Sequence, residues 1–157
     1  MSTLIIYASK YGTTEKCARL VSEKLKDQVD LVNIKKNKNV DISKYDKVII
    51  GGSIYMGKIQ REVTAFCTNN LNELKSKQVG LFICGMSEGE EASKLLNASF
   101  PAVLLSTAVA KECLGGEFLI DKMGFLHKLI VKKVSKVTEN KSNIAMDKIQ
   151  GFAEAMK

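Results

Sequence analysis

A short apolar run, Leu4-Ile5-Ile6-Tyr7-Ala8, stops at the polar stretch Ser9-Lys10-Tyr11-Gly12-Thr13-Thr14, and a helical pattern begins directly after it. The chain therefore opens as strand, hydroxyl-rich loop and helix. That succession commits the next strand to a crossover connection and places a helix N-terminus at the end of the first strand.

A helix N-terminus carries backbone N–H groups without intrahelical acceptors, and with the helix dipole they favour an anion at the point where loop becomes helix. Gly12 lets the backbone come close, and Ser9, Thr13 and Thr14 add hydroxyl donors. No Asp or Glu lies within Ser9–Thr14, so the loop suits a phosphate dianion. The GxxxxGK[ST] spacing is absent and so is GxGxxG, which argues against nucleoside triphosphates and NAD. The plainer alternative is an N-cap, with Ser9 or Thr13 merely starting the helix.

At 157 residues the chain is long enough for one core and too short for two ordinary domains, so residues 1–157 read as a single domain. Its apolar runs, such as Val79 to Cys84, fall far short of the roughly 20 residues a membrane span requires. Met1-Ser2-Thr3 leads straight into a strand with no basic n-region or cleavage site, so a cytoplasmic location is expected. Cys17, Cys67, Cys84 and Cys113 are widely spaced and His127 is the only imidazole, so no metal site is expected and the cysteines read as buried free thiols.

Lys and Arg number 24 against 17 Asp and Glu, a net charge of +7 that favours anionic partners. The excess gathers at Lys35-Lys36-Asn37-Lys38 and over 121–136. Nucleic acid is disfavoured as a partner, because no binding motif or interleaved aromatic series accompanies the lysines. Within the second cluster, Met123, Leu126, Ile130, Val134 and Val137 share one helical face while Lys128, Lys132, Lys133 and Lys136 lie largely on the other. Such a helix either packs its stripe on the sheet or touches an anionic surface, so peripheral association with the inner face of the cell membrane stays open.

Further along, Cys17, Leu20, Val21 and Leu25 predict a helix from about Thr14 to Lys26, and strands follow at Val29 to Ile34 and Val48 to Gly51. Glu62 to Leu74 suits one crossover helix, Val79 to Cys84 a fourth strand, and Glu90 to Leu96 a third helix. Pro101 can start a short helix through Leu105, Val109 to Leu114 is the last strand, and a closing helix spans about Ile144 to Met156 with Gly151 weakening it. Five strands alternating with helices predict a doubly wound α/β sheet, which binds ligands beyond the carboxyl ends of its strands.

Two further loops fall at that rim: Gly51-Gly52-Ser53-Ile54-Tyr55-Met56-Gly57-Lys58 and Gly85-Met86-Ser87-Glu88-Gly89. Tyr55, Met56 and Met86 would wall a slot for a planar ligand, with glycines freeing backbone amides for its polar edge.

On these residues the chain resembles the flavodoxins: Ser9-Lys10-Tyr11-Gly12-Thr13-Thr14 is similar to their phosphate loop, and Gly51 to Gly57 and Gly85 to Glu88 are similar to their two flavin-flanking loops. More narrowly, Tyr45-Asp46-Lys47-Val48-Ile49-Ile50-Gly51-Gly52-Ser53-Ile54, and Gly115-Gly116 ahead of the basic segment ending Lys128-Leu129-Ile130-Val131-Lys132, resemble the menaquinone-dependent protoporphyrinogen oxidase branch. The resemblance implies a flavodoxin-like five-stranded parallel sheet in the order 2-1-3-4-5 with helices on both faces, and FMN as cofactor. It also implies contacts to FMN from Ser9, Lys10, Tyr11, Gly12, Thr13, Thr14, Ser53, Ile54, Tyr55, Met56, Gly57, Cys84, Gly85, Met86, Ser87 and Glu88. Segment 85–108 departs from that branch, being mostly apolar and free of arginine where the oxidase carries a basic insertion.

The functional expectation is an FMN-dependent oxidoreductase similar to protoporphyrinogen oxidase, in which the flavin takes electrons and passes them to a quinone. The alternative is a flavodoxin-type electron carrier serving a redox partner. An anionic membrane surface or a porphyrin would meet Lys128, Lys132, Lys133 and Lys136. Ser9 lacks a GxSxG elbow, which sets aside a hydrolase.

Overall fold

The computed structural model describes residues 2–26, 28–118 and 141–157. The expected helix Met123 to Val137, with His127, Lys128, Lys132, Lys133 and Lys136, lies outside the described residues.

The elements are β1 (Ser2–Tyr7), α1 (Thr13–Lys24), β2 (Gln28–Asn33), β3 (Lys47–Ser53), α2 (Arg61–Asn69), α3 (Leu71–Leu74), β4 (Gln78–Cys84), α4 (Gly89–Ser99), α5 (Ala102–Thr107), β5 (Ala110–Cys113), β6 (Gly115–Phe118), β7 (Lys141–Ile144) and α6 (Met146–Met156). Five strands form a parallel sheet in the order β2-β1-β3-β4-β5, as expected. The order steps from β1 outward to β2 and then back past β1 to β3, so the loops after β1 and β3 leave on opposite faces and open a crevice between them.

Alternation along the strands divides the core. Leu4, Ile6, Val48, Ile50, Leu81 and Ile83 face α2, α3, α4 and α5, while Ile5, Tyr7, Ile49 and Phe82 face α1 and α6. β1 and β3 are buried on both faces, which is why they read as unbroken apolar runs. Gly80 makes room for α6, because a Cβ there would sit 2.7 Å from Met156 Sδ and 2.9 Å from Phe152 Cζ. Phe152 then meets Phe82 edge-on, with centroids 5.9 Å apart.

Several boundaries differ from expectation for local reasons. α1 stops at Lys24, because Leu25 turns extended and its N–H returns to Ser22 O. The single crossover helix expected over Glu62 to Leu74 is two, broken at Asn70, whose Nδ2 donates to Phe66 O at 2.9 Å and competes with helix continuation. β5 begins at Ala110, leaving Val109 exposed outside it. α6 begins at Met146, because Ile144 pairs with Gly115 in an antiparallel β6–β7 ribbon that the sequence pattern did not reveal. Gly151 lies within α6, exposed with open space around it, so the cost expected of it is that of glycine's helix propensity and not of packing. The four cysteines are buried and free, as expected.

Two buried phenols pin the sheet. Tyr7 Oη donates to Glu15 Oε1 at 2.7 Å, tying β1 to α1, and Tyr45 Oη donates to Asp30 Oδ2 at 2.7 Å, tying the approach to β3 onto β2. Both are pushed up to about 12, Tyr7 by burial first and then by Glu15, Tyr45 by its bond to Asp30 first and then by burial. An unfolded tyrosine ionises near pH 10, so the stability these groups contribute is complete below about pH 10 and is lost as pH rises toward 12. Urea midpoints of the parent should fall across that window, and in a Tyr7→Phe, Tyr45→Phe double variant the fall should be visibly shallower.

Candidate functional site

The first loop is set by backbone geometry. Gly12 precedes α1 with φ 98°, a left-handed conformation that favours glycine, and its N–H donates to Ser9 Oγ at 2.9 Å. Lys16 N–H is bonded to Gly12 O at 3.0 Å, so intrahelical bonding begins there and the N–H groups of Thr13, Thr14 and Glu15 remain as the donors of the first turn. Thr13 and Thr14 are buried, and the Thr14 hydroxyl, which stands beside the Cys84 thiol, meets no oxygen or nitrogen acceptor. A buried hydroxyl without such an acceptor beside free first-turn amides fits a phosphate that completes it.

The second loop closes through Tyr55 N–H to Lys58 O at 2.8 Å and Lys58 N–H to Tyr55 O at 3.1 Å. Met56 (φ 53°) and Gly57 (φ 78°) are the central pair of this tight turn, and left-handed backbone at Met56 costs a side chain about 1–2 kcal/mol. Met56 is two-thirds exposed at the rim. Lys10 joins the first two loops: its Nζ lies 4.1 Å from the Tyr55 ring centroid and 5.6 Å from that of Tyr11. Gln60, which sequence reading passed over, fastens Ser53, accepting from its N–H at 3.0 Å and donating to its Oγ at 2.6 Å.

The third loop is held from beneath and beside. Ile54 N–H donates to Cys84 O at 2.9 Å, joining loops two and three. Cys84 thus offers the rim its backbone, while its thiol lies in the core against α1. That thiol is pushed well up by the neighbouring Cys17 thiol and by burial. Cys113 Sγ sits under the loop, 3.8 Å from Ser87 O, and burial raises its pKa too. Met86 and Ser87 are half-buried, and Glu88 Oε1 accepts from Asn143 Nδ2 at 2.8 Å.

The β6–β7 ribbon brings in a residue that sequence reading missed. Glu117 Oε1 accepts from Thr13 Oγ1 at 3.0 Å, and Oε2 pairs with Lys16 Nζ at 3.2 Å. The expected absence of acid holds for Ser9–Thr14 itself but not for its surroundings. Only the paired Gly115-Gly116 hinted at a close approach, and nothing in sequence says to what. The Ser9–Thr14, Ser53–Gly57 and Cys84–Glu88 residues otherwise gather at the carboxyl ends of β1, β3 and β4. A groove of about 780 Å³ beside α2, lined by Ile34, Val40, Arg61, Ala65 and Phe66, takes no residue from the three loops. No His, Cys, Asp and Glu group able to hold a metal occurs among the described residues.

A doubly wound sheet with an anion cradle after β1 and two glycine-rich loops at the same rim defines a flavodoxin-like α/β protein. The sequence profile of the flavodoxin domain matches residues 4–145, and the chain belongs to that family. A search of curated proteins finds no match. The structure resembles Flavodoxin 1 from Bacillus cereus (13% identity, TM-score 0.60, 99% of this chain and 96% of that one). It also resembles the flavodoxin of Streptococcus pneumonia TIGR4 (22%, 0.59, 99% and 97%). It matches as well the rubredoxin oxygen:oxidoreductase of Desulfovibrio gigas (20%, 0.50, 99%), of which it spans 36%.

The site rests on close backbone approach at the ends of β3 and β4. Gly51 stands opposite Phe82 in register, and a Cβ at Gly51 would overlap the aromatic ring. Gly51→Ala is expected to destabilise the chain by about 1–3 kcal/mol, the cost of overpacking, read as a lower urea midpoint with unchanged slope.

Proposed function

We propose that this chain is an FMN-dependent redox protein, with the three loops as its cofactor site. The observation that carries the reading is their convergence, in a member of the flavodoxin domain family, around first-turn amides of α1 and the buried Thr14 hydroxyl. FMN, when bound, supplies electron transfer at its ring. The chain's own residues do the rest. Ser9, Thr13 and Thr14 with the first-turn amides would seat the phosphate, and Tyr55, Met56 and Met86 would flank the ring. Gln60, by fixing Ser53, and Lys10, by stacking on Tyr55, would hold the second loop against the first.

The finer reading is an oxidase that takes electrons from an anionic tetrapyrrole and delivers them to a quinone. It is supported by the net charge of +7 and by Lys10 and Lys58 at the rim, which suit a substrate bearing carboxylates. Lys128, Lys132, Lys133 and Lys136 would contribute a docking surface for its propionates or for an anionic membrane. The second reading is a carrier without its own substrate, favoured by the exposure of Tyr55 and Met56, which leaves an apolar knob open to a redox partner. No helix among the described residues is long and apolar enough to cross a membrane.

FMN titration tests the core of the proposal. Thr14→Ala removes a charge-assisted hydrogen bond of about 1.5–3 kcal/mol, so FMN affinity should fall by about one to two decades. A parent protein that takes up no FMN overturns the reading. Turnover of protoporphyrinogen with a quinone separates oxidase from carrier. In the oxidase, replacing Lys128, Lys132, Lys133 and Lys136 with Gln should raise KM and leave FMN affinity unchanged; a parent without turnover, whose flavin a flavodoxin reductase reduces, is a carrier.

A further inference from the structure

The acid at the phosphate loop arrives from 104 residues further along the chain. Glu117 is anchored through its backbone, not by chance of a long side chain. Gly85 N–H donates to Gly115 O at 2.9 Å, a Cβ at Gly116 would lie 2.7 Å from the Gly85 carbonyl carbon, and Glu117 stands opposite Ser142 in the β6–β7 pair. So placed, the Glu117 side chain is only 6% exposed and holds both the Thr13 hydroxyl and the Lys16 ammonium. The other acid of the first turn, Glu15, is turned to Tyr7 Oη at 2.7 Å and Arg19 at 3.7 Å.

A terminal phosphate at this loop seeks the same two groups, since a hydroxyl of the first turn and a nearby ammonium are the donors that strengthen an anion site. Thr13 has one hydroxyl proton and cannot give it to two anions. A dianion brought beside a buried carboxylate also meets like charge where water screens it least. We propose that Glu117 is a specificity-determining residue of the phosphate site: it competes with the terminal phosphate for Thr13 and Lys16, so the chain distinguishes phosphorylated from unphosphorylated flavin less sharply than its loop donors alone would. The proposal rests on the FMN reading above.

Parent, Glu117→Gln and Glu117→Ala proteins are titrated with FMN and with riboflavin, following quenching of flavin fluorescence. Glu117→Gln keeps the shape and an oxygen acceptor for Thr13 and removes only the charge, while Glu117→Ala serves if the amide disturbs folding. FMN affinity should rise about tenfold or more in either variant and riboflavin affinity should stay within about twofold, so the ratio of the two widens. FMN binding with a ratio that stays the same or narrows overturns the proposal alone and makes Glu117 a residue that merely positions Thr13 and Lys16. FMN binding to none of the three proteins overturns the cofactor reading and the proposal with it.

Discussion

Burial of β1 and β3 on both faces is the constraint from which the rest of the structure follows. A strand covered on both sides pairs with parallel neighbours through crossover helices, and every crossover starts from the same rim. Loops that must leave that rim between packed layers have little room. Gly51 therefore lies against the Phe82 ring, Gly52 against Ile59 and Gln60, and Gly116 against the Gly85 backbone. The glycines that suggest a ligand site are thus first a packing requirement.

What turns the rim into a site is how its three loops are tied together. Lys10 stacks on Tyr55, Ile54 bonds to Cys84, and the β6–β7 ribbon bonds to Gly85 while its Asn143 reaches Glu88. The same ribbon delivers Glu117 to Thr13 and Lys16, so one small element touches both the first loop and the third. The electrostatic character is correspondingly divided: lysines outward at the rim, and one buried carboxylate beneath the helix start.

Two functional readings share this frame because the proposed cofactor site would serve either, and they differ in what approaches the rim. An exposed Tyr55–Met56 turn suits a partner's surface, and a basic rim suits an anionic substrate. The same charge bears on both, since an excess of lysine selects for acidic partners as much as for carboxylated small molecules.

The opening strand, loop and helix, the continuous apolar strands and the alternation of elements were all legible, because burial on two faces leaves unbroken hydrophobic runs and helical packing leaves a period near 3.6. From those the doubly wound sheet and the three rim loops followed, while the strand order was implied only by the resemblance to the flavodoxins. The ribbon was not legible, since Gly115-Gly116-Glu117-Phe118 and Lys141-Ser142-Asn143-Ile144 have little strand propensity and are held by pairing across a long separation. Nor was the break at Asn70, where a side chain takes a helix carbonyl, or the role of Gln60, an ordinary helix-start residue until the fold sets Ser53 beside it. Periodic burial is written locally and the sequence by itself determined it. Which distant side chain meets which loop, Glu117 on Thr13 above all, depends on where the whole sheet places its edges, and only the tertiary structure decided that.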